Sequence, residues 1–205
     1  MRYLEFRKAL KKFNAFSIQE IRKIDPNFHR RRLNEWQAKG YLKKVVKGFY
    51  VFSDIELTEN VLFEIANRIY KPSYISLETA LAYHGLIPEA VYGMTSISTR
   101  KTHWFKTPLG SFRYRTVRSK YFFGYDIIQK ESRCFKMASM EKALLDYLYL
   151  SPDFQAEKDF ASLRINPKIW SKKTNERKFR KFANRFAQKT LLLRAEAFVR
   201  FIKHA

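Results

Sequence analysis

Cysteine, glycine and proline are scarce in this chain of 205 residues, and it contains no long apolar run. The single cysteine, Cys134, excludes an intramolecular disulfide and fits a reducing compartment. Six glycines and six prolines argue against long flexible linkers. No apolar run approaches the ~18 residues that a membrane span requires, and the basic amino terminus lacks the apolar region of a signal peptide. We therefore expect a cytoplasmic protein with no membrane association.

Acidic residues are also few, with 19 Asp and Glu against 41 Lys and Arg, which gives a net charge of +22. The basic excess lies in residues 1–52, 99–150 and 151–205, whereas residues 53–98 are net acidic. A charge balance this basic predicts an anionic partner, above all nucleic acid.

Apolar residues are plentiful, at 46 % of the chain, and aromatic residues reach 17 %. This composition supports a substantial core and argues against disorder. The order of predicted elements indicates an α+β protein with two domains. Residues 1–53 form the first domain, and residues 54–205 form a mixed α/β domain that ends in basic helices from about residue 155.

Three helices are predicted near the amino terminus. Apolar residues at helical spacing indicate a first helix over residues 3–13. Ser17 and Glu20 form a capping box that begins a short second helix, which runs to about Ile24. Asp25 and Pro26 suit the N-cap and first position of a third helix, which ends near residue 40.

A β-hairpin is predicted directly after the third helix. Residues 41–46 and 49–52 have strand character, and Lys47 and Gly48 form the turn between them. Helix, short helix, turn, helix and hairpin, in this order, are typical of a winged helix-turn-helix. We therefore predict a winged helix-turn-helix, a DNA-binding fold, for residues 1–53.

The third helix of such a domain reads bases in the major groove. At helical spacing, Leu33 and Trp36 lie on the side that packs on the first two helices, and polar residues lie opposite. Arginine pairs bidentately with guanine, and asparagine pairs with adenine. The predicted base-reading residues are Asn27, Arg30, Arg31 and Asn34.

Phosphate contacts are predicted around this helix, because backbone contacts orient a protein on DNA without reading sequence. The predicted residues are Ser17, Arg32, Lys43, Lys44 and Lys47. The alternative interpretation is a solvated run of arginines beside a hairpin whose lysines only keep it soluble.

In the second domain two helices are predicted first, then a run of strands, and then a further helix before the tail. Helices are predicted near residues 55–70, 76–84 and 139–150, the last of them capped by Ser139. Strands are predicted at residues 94–99, 111–117, 122–128 and 135–137.

The carboxyl-terminal tail is predicted to be helical and basic. One continuous apolar stripe is predicted from Phe179, Phe182, Ala183, Phe186, Thr190 and Leu193. A second basic surface is predicted from Lys172, Lys173, Arg177, Lys178, Arg180, Lys181 and Arg185. This surface either contacts DNA or RNA or is merely a solvated face.

No pattern of catalytic or metal-binding residues stands out. The four histidines and one cysteine lack metal-ligand spacing, and no glycine-rich phosphate loop occurs. We expect no cofactor, no metal site and no enzymatic activity. One alternative is a nuclease, since Asp153 and Glu176 formally match the loose PD…ExK pattern. Glu176, however, falls in a predicted helix rather than on a strand, so we regard this match as chance.

Five segments together carry a resemblance to a known family. They are Lys-Gly-Phe-Tyr-Val-Phe at residues 47–52, Tyr-Ile-Ser-Leu-Glu-Thr-Ala-Leu-Ala-Tyr-His-Gly-Leu-Ile-Pro-Glu at 74–89, Gly-Ser-Phe-Arg-Tyr at 110–114, Gly-Tyr at 124–125, and Met-Ala-Ser-Met-Glu-Lys-Ala-Leu-Leu-Asp at 137–146. These segments resemble AbiEi-type antitoxins over roughly residues 1–150. The basic tail resembles nothing in that family.

The resemblance implies the antitoxin of a bacterial type IV toxin–antitoxin system. Such proteins repress their own operon by binding promoter repeats through a winged helix-turn-helix. They also counteract a nucleotidyltransferase-like toxin, without a stable toxin complex, often in antiviral defence by abortive infection. With this family in view, the basic tail could also face an acidic toxin or a tRNA bound by the toxin. The alternative function is a stand-alone transcriptional regulator whose second domain senses a signal or binds a partner.

Overall fold

The computed structural model describes residues 1–88, 93–130 and 133–204. Over these residues the chain is a mixed α+β protein with ten α-helices, one short 3-10 helix and nine strands in two sheets. No helix in this part of the chain is both long and apolar enough to cross a membrane. Glu89, which ends the first long family-like segment, lies outside the described residues.

The amino-terminal part combines three helices with a small sheet. The helices are α1 (Tyr3–Leu10), α2 (Ile18–Ile24) and α3 (Arg31–Ala38). The strands β1 (Phe16–Ser17), β2 (Leu42–Val46) and β3 (Phe49–Phe52) pair antiparallel in the order β1-β3-β2. The predicted capping box of α2 and the predicted hairpin of β2 and β3 are both present.

Helix α3 begins at Arg31 and not at Pro26 as predicted. The residue before a proline is disfavoured in the helical conformation, and Asp25 is extended, with φ −131° and ψ 92°. Asp25 therefore ends α2, and its carbonyl accepts a hydrogen bond from the Phe28 N–H at 3.0 Å. The prediction that Asp25 caps α3 was wrong, and Asn27 lies in this turn rather than on the helix.

A six-stranded mixed sheet organises the second part of the chain. Its strands are β4 (Ser73–Ile75), β5 (Met94–Ser98), β6 (His103–Thr107), β7 (Gly110–Thr116), β8 (Tyr125–Lys130) and β9 (Arg133–Ala138). Their order is β6-β7-β5-β4-β9-β8, with β4–β9 and β5–β7 parallel and the other pairs antiparallel. Strands β4 and β6 were not predicted, and β8 begins at Tyr125 rather than at Phe122.

Three helices pack against this sheet near their predicted positions. They are α4 (Glu59–Ile69), α5 (Leu77–Tyr83) and α6 (Met140–Leu150). The Thr58 hydroxyl caps α4 by accepting a hydrogen bond from the Val61 N–H at 3.4 Å. Ser139 occupies the N-cap position of α6, as predicted, but its hydroxyl makes no capping hydrogen bond.

Two apolar cores hold the chain together. The smaller core lies among the first three helices and the hairpin, and it includes Phe6, Phe16 and Trp36. The larger core surrounds the six-stranded sheet, and it also contains Ala15, Val45 and Val51 from the amino-terminal part. One side of the hairpin therefore packs on the second part of the chain and is not exposed to solvent.

Four helices complete the chain: α7 (Glu157–Ser162), α8 (Pro167–Lys173), α9 (Glu176–Phe186) and α10 (Lys189–His204). The prediction of one continuous stripe was wrong, because α9 stops at Ala187, which has a left-handed φ of +50°. Beyond this break Thr190 is exposed and Leu193 is 62 % exposed. Helix α10 instead buries Leu191, Ala195, Phe198, Val199 and Ile202.

Candidate nucleic-acid interface

Helix α3 is fixed at one angle by two large apolar side chains. Leu33 is fully buried, and Trp36 is nearly so. The Trp36 ring lies 4.5 Å from the Phe6 ring and 5.4 Å from the Tyr3 ring, between ring centroids. Because both anchors lie on one side of a two-turn helix, the opposite side must face solvent.

The residues predicted to read bases all lie on the solvent side. Asn27, Arg30, Arg31 and Asn34 are exposed, and the Arg31 side chain is 90 % exposed. Arg31 and Asn34 share a face of α3 at i, i+3 spacing. Arg30 occupies the N-cap position, and Asn27 belongs to the preceding turn. The guanidinium of Arg31 lies 3.6 Å from Glu35, an exposed ion pair that a stronger anion can replace.

Two of the predicted phosphate-binding residues are already engaged within the protein. The Arg32 guanidinium donates to the backbone carbonyl of Met1. The Ser17 hydroxyl donates to Glu20 Oε2 at 3.0 Å and accepts from the Glu20 N–H at 3.3 Å. Both side chains therefore also help to hold the first three helices together.

The hairpin carries the remaining predicted phosphate-binding residues. Lys43 and Lys44 are exposed on β2, and Lys47 is exposed at the tip. Gly48 closes the turn with a φ of +89°, a conformation that side chains with a Cβ rarely adopt. None of the three lysines forms an ion pair with any residue in the described ranges. Their charge is consequently free for an external anion.

The carboxylate of Glu20, on α2, is held in its charged form. Burial raises the pKa of Glu20, but hydrogen bonds from Ser17 and the charge of Arg68 outweigh it and hold the pKa below its ordinary value. Arg68, on α4, donates to Glu20 Oε1 on α2. This contact ties the helices of the smaller core to the second part of the chain.

Strand β6, which was not predicted, carries an exposed tryptophan that is surrounded by two cationic side chains near the hairpin. Trp104 is 53 % exposed on this strand, and its ring lies 4.6 Å from Lys106 Nζ and 5.5 Å from Arg113 Cζ. Trp104 and Arg113 are direct partners in the β6–β7 register, and β6 lies against β2. This cluster forms because β6 and β7 pair. In the sequence, the only sign of it was the alternation of aromatic and basic residues around Arg113.

The predicted second basic surface divides into paired and free residues. Lys178 pairs with Glu141 at 3.1 Å, Arg180 pairs with Glu196 at 2.9 Å, and Arg185 lies 3.9 Å above the Phe123 ring. These three side chains attach α9 to the rest of the protein. The exposed cations that form no ion pair in the described part of the chain are Lys172, Lys173, Arg177 and Lys181.

A buried polar cluster was missed by the sequence analysis. Lys142 and Asp146, one turn apart on α6, form an ion pair that is fully buried. Asp146 Oδ2 also accepts hydrogen bonds from the Tyr74 hydroxyl at 2.9 Å and the Ser76 hydroxyl at 2.8 Å. The i, i+4 spacing of Lys142 and Asp146 is the signal of this ion pair that was available in the sequence. Because all four residues are buried, the cluster offers substrate no access and acts as a structural link between β4 and α6.

Glu176, the glutamate of the nuclease alternative, is held by cations within the protein. Glu176 begins α9, and it pairs with Lys203 at 2.9 Å and with Arg180 at 3.6 Å. Among the described residues, no group of three or more His, Cys, Asp or Glu side chains is arranged to hold a metal ion.

Comparisons with known proteins give this chain no family. Neither the models of known protein families nor the curated protein sequences contain a match to it.

Proposed function

We propose that this protein is a DNA-binding transcriptional repressor whose first fifty or so residues act as a winged helix-turn-helix. The observation that carries the proposal is the outer side of α3. Arg30, Arg31 and Asn34 are exposed there, above the buried anchors Leu33 and Trp36. Arginine and asparagine on a rigid helix have the geometry for major-groove readout.

The hairpin supports the same proposal. Lys43, Lys44 and Lys47 are exposed and free of ion pairs within the described ranges, as phosphate contacts beside the groove require. The net charge of +22 adds a sequence-independent attraction to DNA. We leave Ser17 out of the proposed contacts, because its hydroxyl is bonded to Glu20. Arg32 is exposed and uses one donor on the Met1 carbonyl, so its other N–H groups remain available to phosphate.

Two substitutions separate base reading from phosphate contact. We expect Arg31→Ala to weaken operator binding by roughly tenfold or more and to reduce the ratio of operator to random-duplex affinity. Lys47→Ala should weaken both duplexes about equally and reduce the salt dependence of binding by about one ion. Fluorescence anisotropy with the protein's own promoter and a shuffled duplex, over a series of salt concentrations, measures both effects.

Lys158→Ala is the matched control, since Lys158 is an exposed cation on α7 and is not one of the proposed DNA contacts. It should leave discrimination unchanged. Operator affinity that stays at the wild-type value in both Arg31→Ala and Lys47→Ala would remove this assignment.

We further propose that the protein is the cytoplasmic antitoxin of a type IV toxin–antitoxin system. The resemblance of residues 47–52, 74–89 and 137–146 to AbiEi-type antitoxins supports this proposal. On this proposal the protein represses its own operon at promoter repeats and counteracts a nucleotidyltransferase-like toxin without a stable complex. Co-expression with the gene adjacent to its own tests it, with growth as the readout. Continued growth arrest would leave the stand-alone regulator as the function.

A further inference from the structure

A cavity of about 510 Å³ lies between the amino-terminal part and the second part of the chain. Lys12 and Phe13, which follow α1, form one wall, and α4 and the start of β4 form another. Residues from β8 and β9 close the third side. Its volume is within the range of small-molecule sites, which commonly occur where two structural units meet.

The cavity is strongly cationic. Lys12, Lys71, Lys136 and Arg68 line it, against the single carboxylate of Glu64. Arg68 lies 3.8 Å from Glu64 and also donates to Glu20, so these two carboxylates compensate its charge. The three lysines form no ion pair with a residue in the described ranges. A ligand that enters the cavity therefore meets an uncompensated positive potential.

Three residues of the lining carry buried polar atoms with no hydrogen-bond partner. These atoms are Asn67 Nδ2, Arg68 Nε and Ser73 Oγ. Buried polar groups are nearly always satisfied, by protein, ordered water or a ligand, so three such atoms in one place mark where an external oxygen atom can be accepted. All three atoms can donate a hydrogen bond, which matches the oxygen atoms of a carboxylate or phosphate.

The same cavity has an apolar side. Phe13 and Ile127 provide it, and Ile127 is 65 % exposed. Phe135 lies behind them and is buried. The Arg68 guanidinium and the Lys12 ammonium both lie over the Phe13 ring, at 5.2 Å from its centroid. An inorganic anion alone would leave this side against water, whereas a ring attached to the anion would cover it.

We propose that this cavity binds a small organic anion that carries a flat ring, of the size and chemistry of a nucleoside monophosphate. The anionic oxygens contact the lysines and the unsatisfied donors, and the ring packs on Phe13 and on the exposed side chain of Ile127. This site is separate from the exposed side of α3, and its occupation does not require DNA binding.

Cys134 provides a direct probe of occupation. It is the sole cysteine of the chain, it is exposed, and it lines the cavity. The rate at which it reacts with a chromogenic disulfide reagent is measured without DNA, with adenosine 5′-monophosphate, adenosine or inorganic phosphate as probes. Adenosine 5′-monophosphate should slow the reaction, while adenosine and phosphate should each need about tenfold higher concentrations or more for the same protection.

Two variants test the donors. Asn67→Asp keeps the oxygen that accepts from the Lys136 N–H but replaces the unpartnered donor with a negative oxygen, so protection should be lost. Ser73→Ala removes an unsatisfied hydroxyl, so the melting temperature should stay unchanged or rise while the probe binds about tenfold more weakly. Lys120→Ala, an exposed cation outside the cavity lining, is the control and should retain full protection.

Three results would overturn the proposal. They are no protection by adenosine 5′-monophosphate, equal protection by phosphate alone, and undiminished protection in a folded Asn67→Asp variant. Each is independent of DNA binding, so a failure here is distinguishable from a failure of the proposed repressor function.

Discussion

At the scale of single residues, the ion pair of Lys142 and Asp146 is notable because both charged side chains are fully buried. Burial raises the pKa of Asp146 and lowers the pKa of Lys142, so both groups are pushed towards their neutral forms. The attraction between the two charges favours their charged forms, and so do the hydrogen bonds that the Tyr74 and Ser76 hydroxyls donate to Asp146. The ammonium also lies 4.9 Å from the Phe123 ring and 5.0 Å from the Phe186 ring. Removing one member would leave the other without its counter-charge.

We expect Asp146→Ala to lower the free energy of unfolding by about 3–5 kcal/mol, because it leaves an uncompensated ammonium in the core. The double variant Lys142→Met, Asp146→Leu should recover most of that loss, since it removes both charges and keeps similar volumes. Urea unfolding at neutral pH, followed by circular dichroism, measures both values.

Glu35→Ala is the matched control, because its partner Arg31 is 90 % exposed and such pairs contribute little. If Asp146→Ala costs no more stability than Glu35→Ala, the buried pair does not have the structural role assigned to it.

Among whole elements, the sequence predicted those whose ends are marked by local chemistry. The capping box of α2 and the glycine turn of the β2–β3 hairpin are such marks, and both elements were predicted almost to the residue. Asp25 and Pro26 misled the prediction, because this pair suits the start of one helix as well as the end of another. Strands β4 and β6 are short, and their positions are fixed by pairing with distant strands rather than by their own pattern.

The junction of α9 and α10 makes a testable prediction at this scale. Ala187 adopts a left-handed conformation with φ +50°, which strains a residue that has a Cβ. We expect Ala187→Gly to raise the free energy of unfolding by about 0.5–1 kcal/mol, since glycine adopts this conformation without strain.

The control for this junction is Ala197→Gly, inside α10, which should lower the free energy of unfolding by about 1 kcal/mol. Thermal and urea unfolding of the two variants give the comparison. Equal destabilisation by both would show that Ala187 is not under backbone strain.

For the molecule as a whole, the sequence predicted which residues lie on the exposed side of α3 but not the cavity or the contacts between distant segments. Arg31 and Asn34 could be assigned to one side of α3 because helical spacing decides which side chains share a face. The cavity could not be predicted, because Lys12, Asn67 and Lys136 come together only through the packing of distant segments. The partly buried contact of Glu20 with Arg68 joins α2 to α4 in the same way.

This contact between Glu20 and Arg68 makes the stability of the folded protein depend on pH in the acidic range. The pKa of Glu20 is lowered in the folded protein, so the unfolded chain takes up this proton at a higher pH than the folded chain does. The stabilisation from Glu20 is therefore fully present above its unfolded pKa of about 4.3 and is lost as the pH falls through its lower folded value. Glutamine at this position keeps the capping box but carries no charge.

We expect Glu20→Gln to be less stable than the wild type at pH 7 and to lose less further stability between about pH 5 and pH 3. Melting temperatures across this range test the expectation, with Glu35→Gln as an exposed control that should follow the wild-type curve. A Glu20→Gln curve parallel to the wild type down to pH 3 would show that another carboxylate governs acid stability. The hydrogen bonds of Glu20 with Ser17 and Arg68 would then have nearly equal strength in its charged and protonated forms.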